Sequence, residues 1–93
     1  MIQRTLIVVA LAATSLVCAV PAVADEDEYV RTMHEKYVYV TTRELRAEGA
    51  KVCAAARGGM ASPQATDMVS RDLVVQATVA ADIVATAIVQ LGC

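Results

Sequence analysis

Residues 42–56 read TRELRAEGAKVCAAA, and the reading of this stretch decides the fold. Leu45, Gly49, Val52 and Ala56 fall at i, i+4, i+7 and i+11, which is one face of an α-helix. Glu44, Arg46, Glu48, Lys51 and Arg57 supply most of the other side. The apolar face is made of small residues, so another element can come close to it, and Cys53 lies beside it. Gly49 costs about 1 kcal/mol relative to alanine inside a helix. Its place one turn before Cys53 points to close backbone approach of a neighbour, with simple tolerance as the alternative. Thr41 or Thr42 is the expected N-cap, with Glu44 close behind in the first turn. Gly58-Gly59 is the expected stop, and Arg57 falls near the carbonyl ends. Without a following Lys or Ser/Thr in motif spacing, that glycine pair makes no phosphate loop.

Toward the N-terminus, Asp25-Glu26-Asp27-Glu28 opens a helix where exposed amides favour negative charge. These acids are consecutive and lack a turn glycine, so a solvated helix start is a better reading than a calcium loop. Tyr29, Met33 and Tyr37 recur at i, i+4 and i+8 with Val30 alongside, giving an amphipathic helix of about three turns. The Tyr29-Met33-Tyr37 face is the candidate interaction face. His34, the sole histidine, reads as an ordinary, partly exposed side chain. Tyr37-Val38-Tyr39-Val40 is β-branched and aromatic, but with no second strand to pair with it becomes the connection into the next helix.

Beyond Gly59, Ser62-Pro63 marks a new helix start, with Ser as N-cap and Pro at the first helical position. From there to Leu91 neither Gly nor Pro intervenes. A single helix over that span would reach roughly 43 Å, out of scale for so small a domain. A break is expected at Val74 to Thr78, a β-branched cluster, with Thr78 capping a fourth helix and Asp82 in its opening turns. Ala65, Met68, Val69 and Leu73 make one apolar side before the break. After it, Val79, Ile83, Ala87 and Leu91 keep an i+4 spacing with Val84 and Ile88 beside them. That last helix is apolar nearly all round, so it is either the most buried element or half of an interface.

At the start of the chain Arg4 is the lone charge before Asp25, and Leu6 to Val20 is apolar apart from Thr14 and Ser15. Pro21 ends that run and Ala22-Val23-Ala24 follows, so residues 1–24 read as a helical signal peptide cleaved after Ala24. An uncleaved anchor is the alternative, and it is the one membrane attachment the sequence offers. Lipidation at Cys18 is disfavoured because Val17 precedes it. Residues 25–93 then form the single domain, with ten acids against seven bases, three units negative. Nucleic acid is a poor partner for such a surface.

Of the three cysteines, Cys18 leaves with the leader. Cys53 and Cys93 remain, an even pair that reads as one disulfide in an oxidising compartment. Such a bridge closes about forty residues and stabilises by on the order of 4 kcal/mol. An intermolecular bridge through Cys93, giving a covalent dimer of an otherwise monomeric chain, and two free thiols are the alternatives. Two cysteines and a distant His34 leave a zinc ion short of a ligand, so no metal site and no cofactor are expected.

Asp27 followed by Tyr29-Val30, then Gly49-x-x-Val52-Cys53 with Gly58-Gly59, then a closing Ala-rich helix ending on Cys93, resembles the domain-of-unknown-function 732 family. Its members are small exported helical proteins of high-GC Gram-positive bacteria and some of their phages. The resemblance implies a helical domain in which Cys53 and Cys93 are joined, and it brings no activity and no catalytic residues. The chain departs from the family in ending on Gly92-Cys93 rather than on an aromatic followed by Cys-Pro. It also lacks the glycine that often closes the first helix.

The expectation is an all-α bundle of about four short helices with one disulfide, exported to the cell envelope or beyond. It carries no paired catalytic carboxylates, nucleophile-base spacing or phosphate loop, so a non-enzymatic module that binds a protein partner is the leading reading. The runner-up is a carrier of a small apolar ligand or lipid, motivated by the fourth helix and by Met33, Met60 and Met68.

Overall fold

The computed structural model describes residues 25–93. The expected leader, with its cleavage site and Cys18, lies outside the described residues. Helix α1 runs from the first described residue to residue 36, and α2 (Thr42–Arg57), α3 (Ser62–Leu73) and α4 (Ala77–Leu91) follow. Among the described residues there is no strand, so the all-α expectation holds.

Local signals account for most of the helix boundaries. Thr41 caps α2 with a reciprocal capping box: its hydroxyl accepts from the Glu44 amide at 3.1 Å and Glu44 Oε1 accepts from the Thr41 amide at 3.0 Å. Val40 before the cap and Leu45 four residues after it are both buried, the arrangement of a hydrophobic staple. Upstream, residues 37–40 form a turn, as the connection reading expects. His34 Nδ1 donates to the Val40 carbonyl at 2.8 Å and helps close it.

Three helices end in the same way. An amide two or three residues past each helix end donates back to a carbonyl five residues earlier: Met60 to Ala55, Val75 to Ser70, and Cys93 to Ile88. The residue just before the donor is left-handed in each case, with φ of 89° at Gly59, 54° at Val74 and 71° at Gly92. This is the Schellman arrangement, which favours glycine because a Cβ is strained there. Val74 is therefore the exception, a β-branched side chain in a left-handed position and 89% exposed, where it gains little from packing. Val74→Gly is expected to stabilise the fold by roughly 1 kcal/mol, read as a rise in the urea midpoint. A fall in that midpoint would show that Val74 makes a contribution its exposure conceals.

Two expected caps move by one or two residues. Ala61, not Ser62, is the N-cap of α3, and its carbonyl accepts from the Ala65 amide at 3.0 Å. Ser62 and Pro63 occupy the first two helical positions, where an absent amide costs nothing because it has no intrahelical acceptor. The break between α3 and α4 falls at Val74 to Gln76, inside the expected window, and the two helices meet at 115°. Gln76 rather than Thr78 is the N-cap of α4. The left-handed turn at Val74 ends α3 at once, so the extended link is only Val75-Gln76 and the helix restarts before Thr78 is reached.

All four helices contribute to one core. Tyr29, Val30 and Met33 enter from α1, Leu45 and Val52 from α2, Ala65 and Val69 from α3, and Ala80, Ile83, Val84 and Ala87 from α4. Tyr29 is the largest fully buried side chain, and its hydroxyl donates to the Leu45 carbonyl at 3.0 Å. Its ring lies in the space Gly49 leaves open: a Cβ on Gly49 would come within 2.8 Å of Tyr29 Cε2 and 3.1 Å of Leu91 Cδ1. The close neighbour of Gly49 is thus an aromatic ring rather than a backbone. The disulfide between Cys53 and Cys93 ties α2 to the last residue, with Cα atoms 5.2 Å apart. The intramolecular pairing is the one realised.

Candidate functional site

The expected interaction face on α1 is not a surface. Tyr29 and Met33 are 0% and 2% exposed, and only Tyr37 of the three reaches solvent in part. The small face of α2 draws α1 inward and turns its aromatic stripe into core. Tyr37 instead donates its hydroxyl to Asp82 Oδ2 at 2.6 Å, and Lys36 Nζ lies 2.7 Å from the same oxygen. Those two bonds hold the Asp82 carboxyl below its ordinary range. The network joins α1 to α4 and all of its partners are satisfied.

At the N-terminus of α1 three of the four acids are also paired. Arg46 on α2 reaches Glu26 at 2.9 Å and Asp27 at 3.1 Å, and Glu28 bonds Arg31 on its own helix. Among the described residues no group of three or more acidic, histidine or cysteine side chains is arranged to hold a metal ion.

The chemically unusual position is Glu48. It was expected on the polar side of α2, but it is 6% exposed, and its Oε2 is buried with no hydrogen-bond partner. One turn along α2, Lys51 Nζ lies 2.5 Å from Asp72 Oδ2 of α3, and Asp72 is the acid whose charge acts most on Glu48. The signal was present in the spacing, since Glu48 stands three residues after Leu45 and four before Val52, inside the arc that the apolar residues define. Its acidic type argued for the outside and outweighed that spacing.

Burial first, and then the bond to and the charge of Asp72, push the Glu48 carboxyl up from 4.5 to about 7. The Lys51 ammonium holds Asp72 below its ordinary range. The proton shared between the two acids therefore resides on Glu48. Between pH 4.5 and about 7 the folded chain keeps a proton there that the unfolded chain has released. Stability contributed by this group is thus present below that window and lost as pH rises through it. Asp72 acts in the opposite sense, adding stability that is lost as pH falls through its own lowered range. Glu48→Gln is expected to remove the loss and to exceed the parent protein in stability by roughly 1–3 kcal/mol at about pH 7.5. Urea unfolding at about pH 5 and pH 7.5 reads the difference, and equal pH dependence in both proteins would contradict the acid-pair assignment.

Open grooves mark the surface of the described residues. One of about 420 Å³ runs along α3 and is lined by Met60, Gln64, Asp67, Met68, Arg71 and Asp72. A second, of about 240 Å³, lies among Glu26, Tyr29, Arg46, Ala50, Cys53, Arg57 and Leu91. The third, of about 370 Å³, is formed by Thr32, Ala85, Thr86, Val89 and Gln90 and carries no charged side chain. The methionines do not converge: Met33 is in the core, while Met60 and Met68 line the α3 groove. Helix α4 is less uniformly buried than its composition implies, for Val89 is 78% exposed. Among the described residues no single helix is long and apolar enough to cross a membrane.

Fold and site together define a small all-α bundle closed by one disulfide, with an acid pair set between its second and third helices. No family model, curated protein or solved structure matches the chain.

Proposed function

We propose that this chain is an exported, non-enzymatic helical module that works at or beyond the cell envelope by binding a protein partner. The observation that carries the reading is the uncharged groove between α1 and α4, where Val89 is left 78% exposed beside Ala85 and Thr32. An exposed valine within an apolar depression is what a partner side chain covers. The disulfide supports an oxidising destination. The motif-level likeness to the domain-of-unknown-function 732 family, whose members are exported, supports export and brings no activity. Carriage of an apolar ligand calls for an enclosed chamber, and the three grooves described above are open, which favours the interaction reading over the carrier.

A photo-crosslinking residue at position 89, in protein exported by its own cells, tests the reading. The expected result is a discrete protein adduct from position 89 and none from position 57, an exposed site on the far end of α2. No adduct at 89, or the same adducts from both positions, would contradict it.

A further inference from the structure

Helix α4 has one side that nothing among the described residues covers. Thr78, Ala81, Ala85 and Val89 are all exposed, and their helical spacing places them on one face. Val89 is the largest apolar side chain there, and it is 78% exposed. It forms one wall of the groove of about 370 Å³ whose other walls are Thr32, Ala85, Thr86 and Gln90. No charged side chain lines this groove, whereas the other two grooves carry acidic and arginine side chains. Asp82, the only charge on α4, borders the face, and Lys36 and Tyr37 of α1 already hold its carboxylate at 2.7 and 2.6 Å. Next to Thr32 on α1, Arg31 is held by Glu28 and Glu35 of its own helix. Covering this side therefore leaves no charge without its partner.

We infer that a second copy of this chain covers it, with α4 packed on α4 in antiparallel order about a two-fold axis at Ala85. The inference rests on the reading that a protein partner docks in this groove, and it says which partner. Charge selects the copy. Residues 25–93 carry ten acids against seven bases, so two copies repel over most of their surfaces, and the charge-free side of α4 is where they meet without that repulsion. Register selects the arrangement. With the axis at Ala85, position 89 of one helix lies opposite position 81 of the other, and position 85 lies opposite its own counterpart. Val89 thereby meets the small Ala81 of the other copy, and the centre is alanine on alanine. A two-fold contact has to be self-complementary in this way, since each residue meets a residue that meets it in return.

The size of the face sets the strength of the contact. From Thr78 to Val89 it is about 17 Å long, and a helix is about 10–12 Å across, so the footprint is roughly 200 Å². That is well short of the roughly 800 Å² per partner found in stable complexes, so the dimer is reversible and forms at high concentration. A lipid surface is the poorer occupant, because the face offers it neither an aromatic side chain nor a cation.

Nuclear magnetic resonance of the purified, oxidised protein reads the contact. Ala81 and Val89 lie about 12 Å apart along one helix, too far for a through-space cross-peak between their methyl groups within a chain. The expected result at about 1 mM protein is that cross-peak, together with Val89 methyl shifts that move on dilution to about 20 µM. Ala85→Arg, at an exposed position, sets two guanidinium groups face to face at the axis. It is expected to abolish both signals while the core methyls of Ile83 and Ala87 keep their dispersion. Val89 shifts in the parent that ignore dilution, or a cross-peak that persists in Ala85→Arg, would overturn the inference. Absence of self-contact in the purified protein, combined with a cellular adduct from position 89 whose mass is not twice that of the chain, overturns the second copy and leaves the partner reading standing. Absence of both self-contact and adduct overturns the two together.

Discussion

Cys53→Ala combined with Cys93→Ala is expected to cost about 4 kcal/mol of stability and to leave the chain largely unfolded at about 37 °C. The bridge spans 40 residues, so it removes a large share of the loop freedom of the unfolded chain. What remains is small: Tyr29 is the one aromatic among the fully buried side chains, and alanine and valine make up much of the rest. A core of this size rarely supplies more than about 3–5 kcal/mol by itself. The bridge also fixes Leu91, two residues from Cys93, against the Tyr29–Gly49 contact. Urea unfolding of the double variant against the oxidised parent measures the loss. A loss below about 1 kcal/mol would mean that the helices hold without the staple.

Gly49→Ala is the second large effect, and here two forces oppose. Alanine is better than glycine inside a helix by about 1 kcal/mol. The new methyl, however, would stand 2.8 Å from Tyr29 Cε2 and 3.1 Å from Leu91 Cδ1. Tyr29 cannot simply swing away, because its hydroxyl is bound to the Leu45 carbonyl inside the core. Overpacking of this kind costs about 1–3 kcal/mol, and with the ring pinned the upper half applies, so the expected net loss is about 1–2 kcal/mol. The sign is decided by the ring, which gives a direct check: in a Tyr29→Ala background, Gly49→Ala is expected to become neutral or stabilising. If Gly49→Ala is destabilising to the same degree in both backgrounds, the Tyr29 contact is not its cause.

Features set by a few adjacent residues were the legible ones. The capping box at Thr41 and Glu44, the glycine stop at Gly58-Gly59 and the link at residues 37–40 all follow from local chemistry, and the structure has them there. The break between α3 and α4 was legible from size alone, since one helix over that whole span is out of scale for so small a domain. Its cap was not, because the left-handed turn at Val74 is adopted by a residue type that disfavours it, and no sequence rule points to it. Which face of α1 goes inward was likewise a tertiary matter. Tyr29, Met33 and Tyr37 share a stripe, but whether it is core or surface depends on the space opposite, and Gly49 opens that space for Tyr29 from twenty positions further along the chain.

The acid pair was the hardest feature to read. Glu48 carries the spacing of a core residue and the chemistry of a surface one, and only the packing of α3 over it settles the conflict. Asp72 draws no particular reading from the sequence, and its link to α2 appears only where Lys51 binds it across the two helices. Local rules speak to helix ends and faces. They say little about which charged groups from different helices end up facing one another.

Everything above rests on α2 being cross-linked to the final residue of the chain. A tryptic map of the native protein, alkylated without reductant, tests it most directly. Cleavage after Lys51, Arg57 and Arg71 leaves Cys53 in residues 52–57 and Cys93 in residues 72–93. The account predicts these two peptides as one linked species that separates on reduction. Recovery of both peptides singly and alkylated, or of either one linked to its own copy, would contradict it.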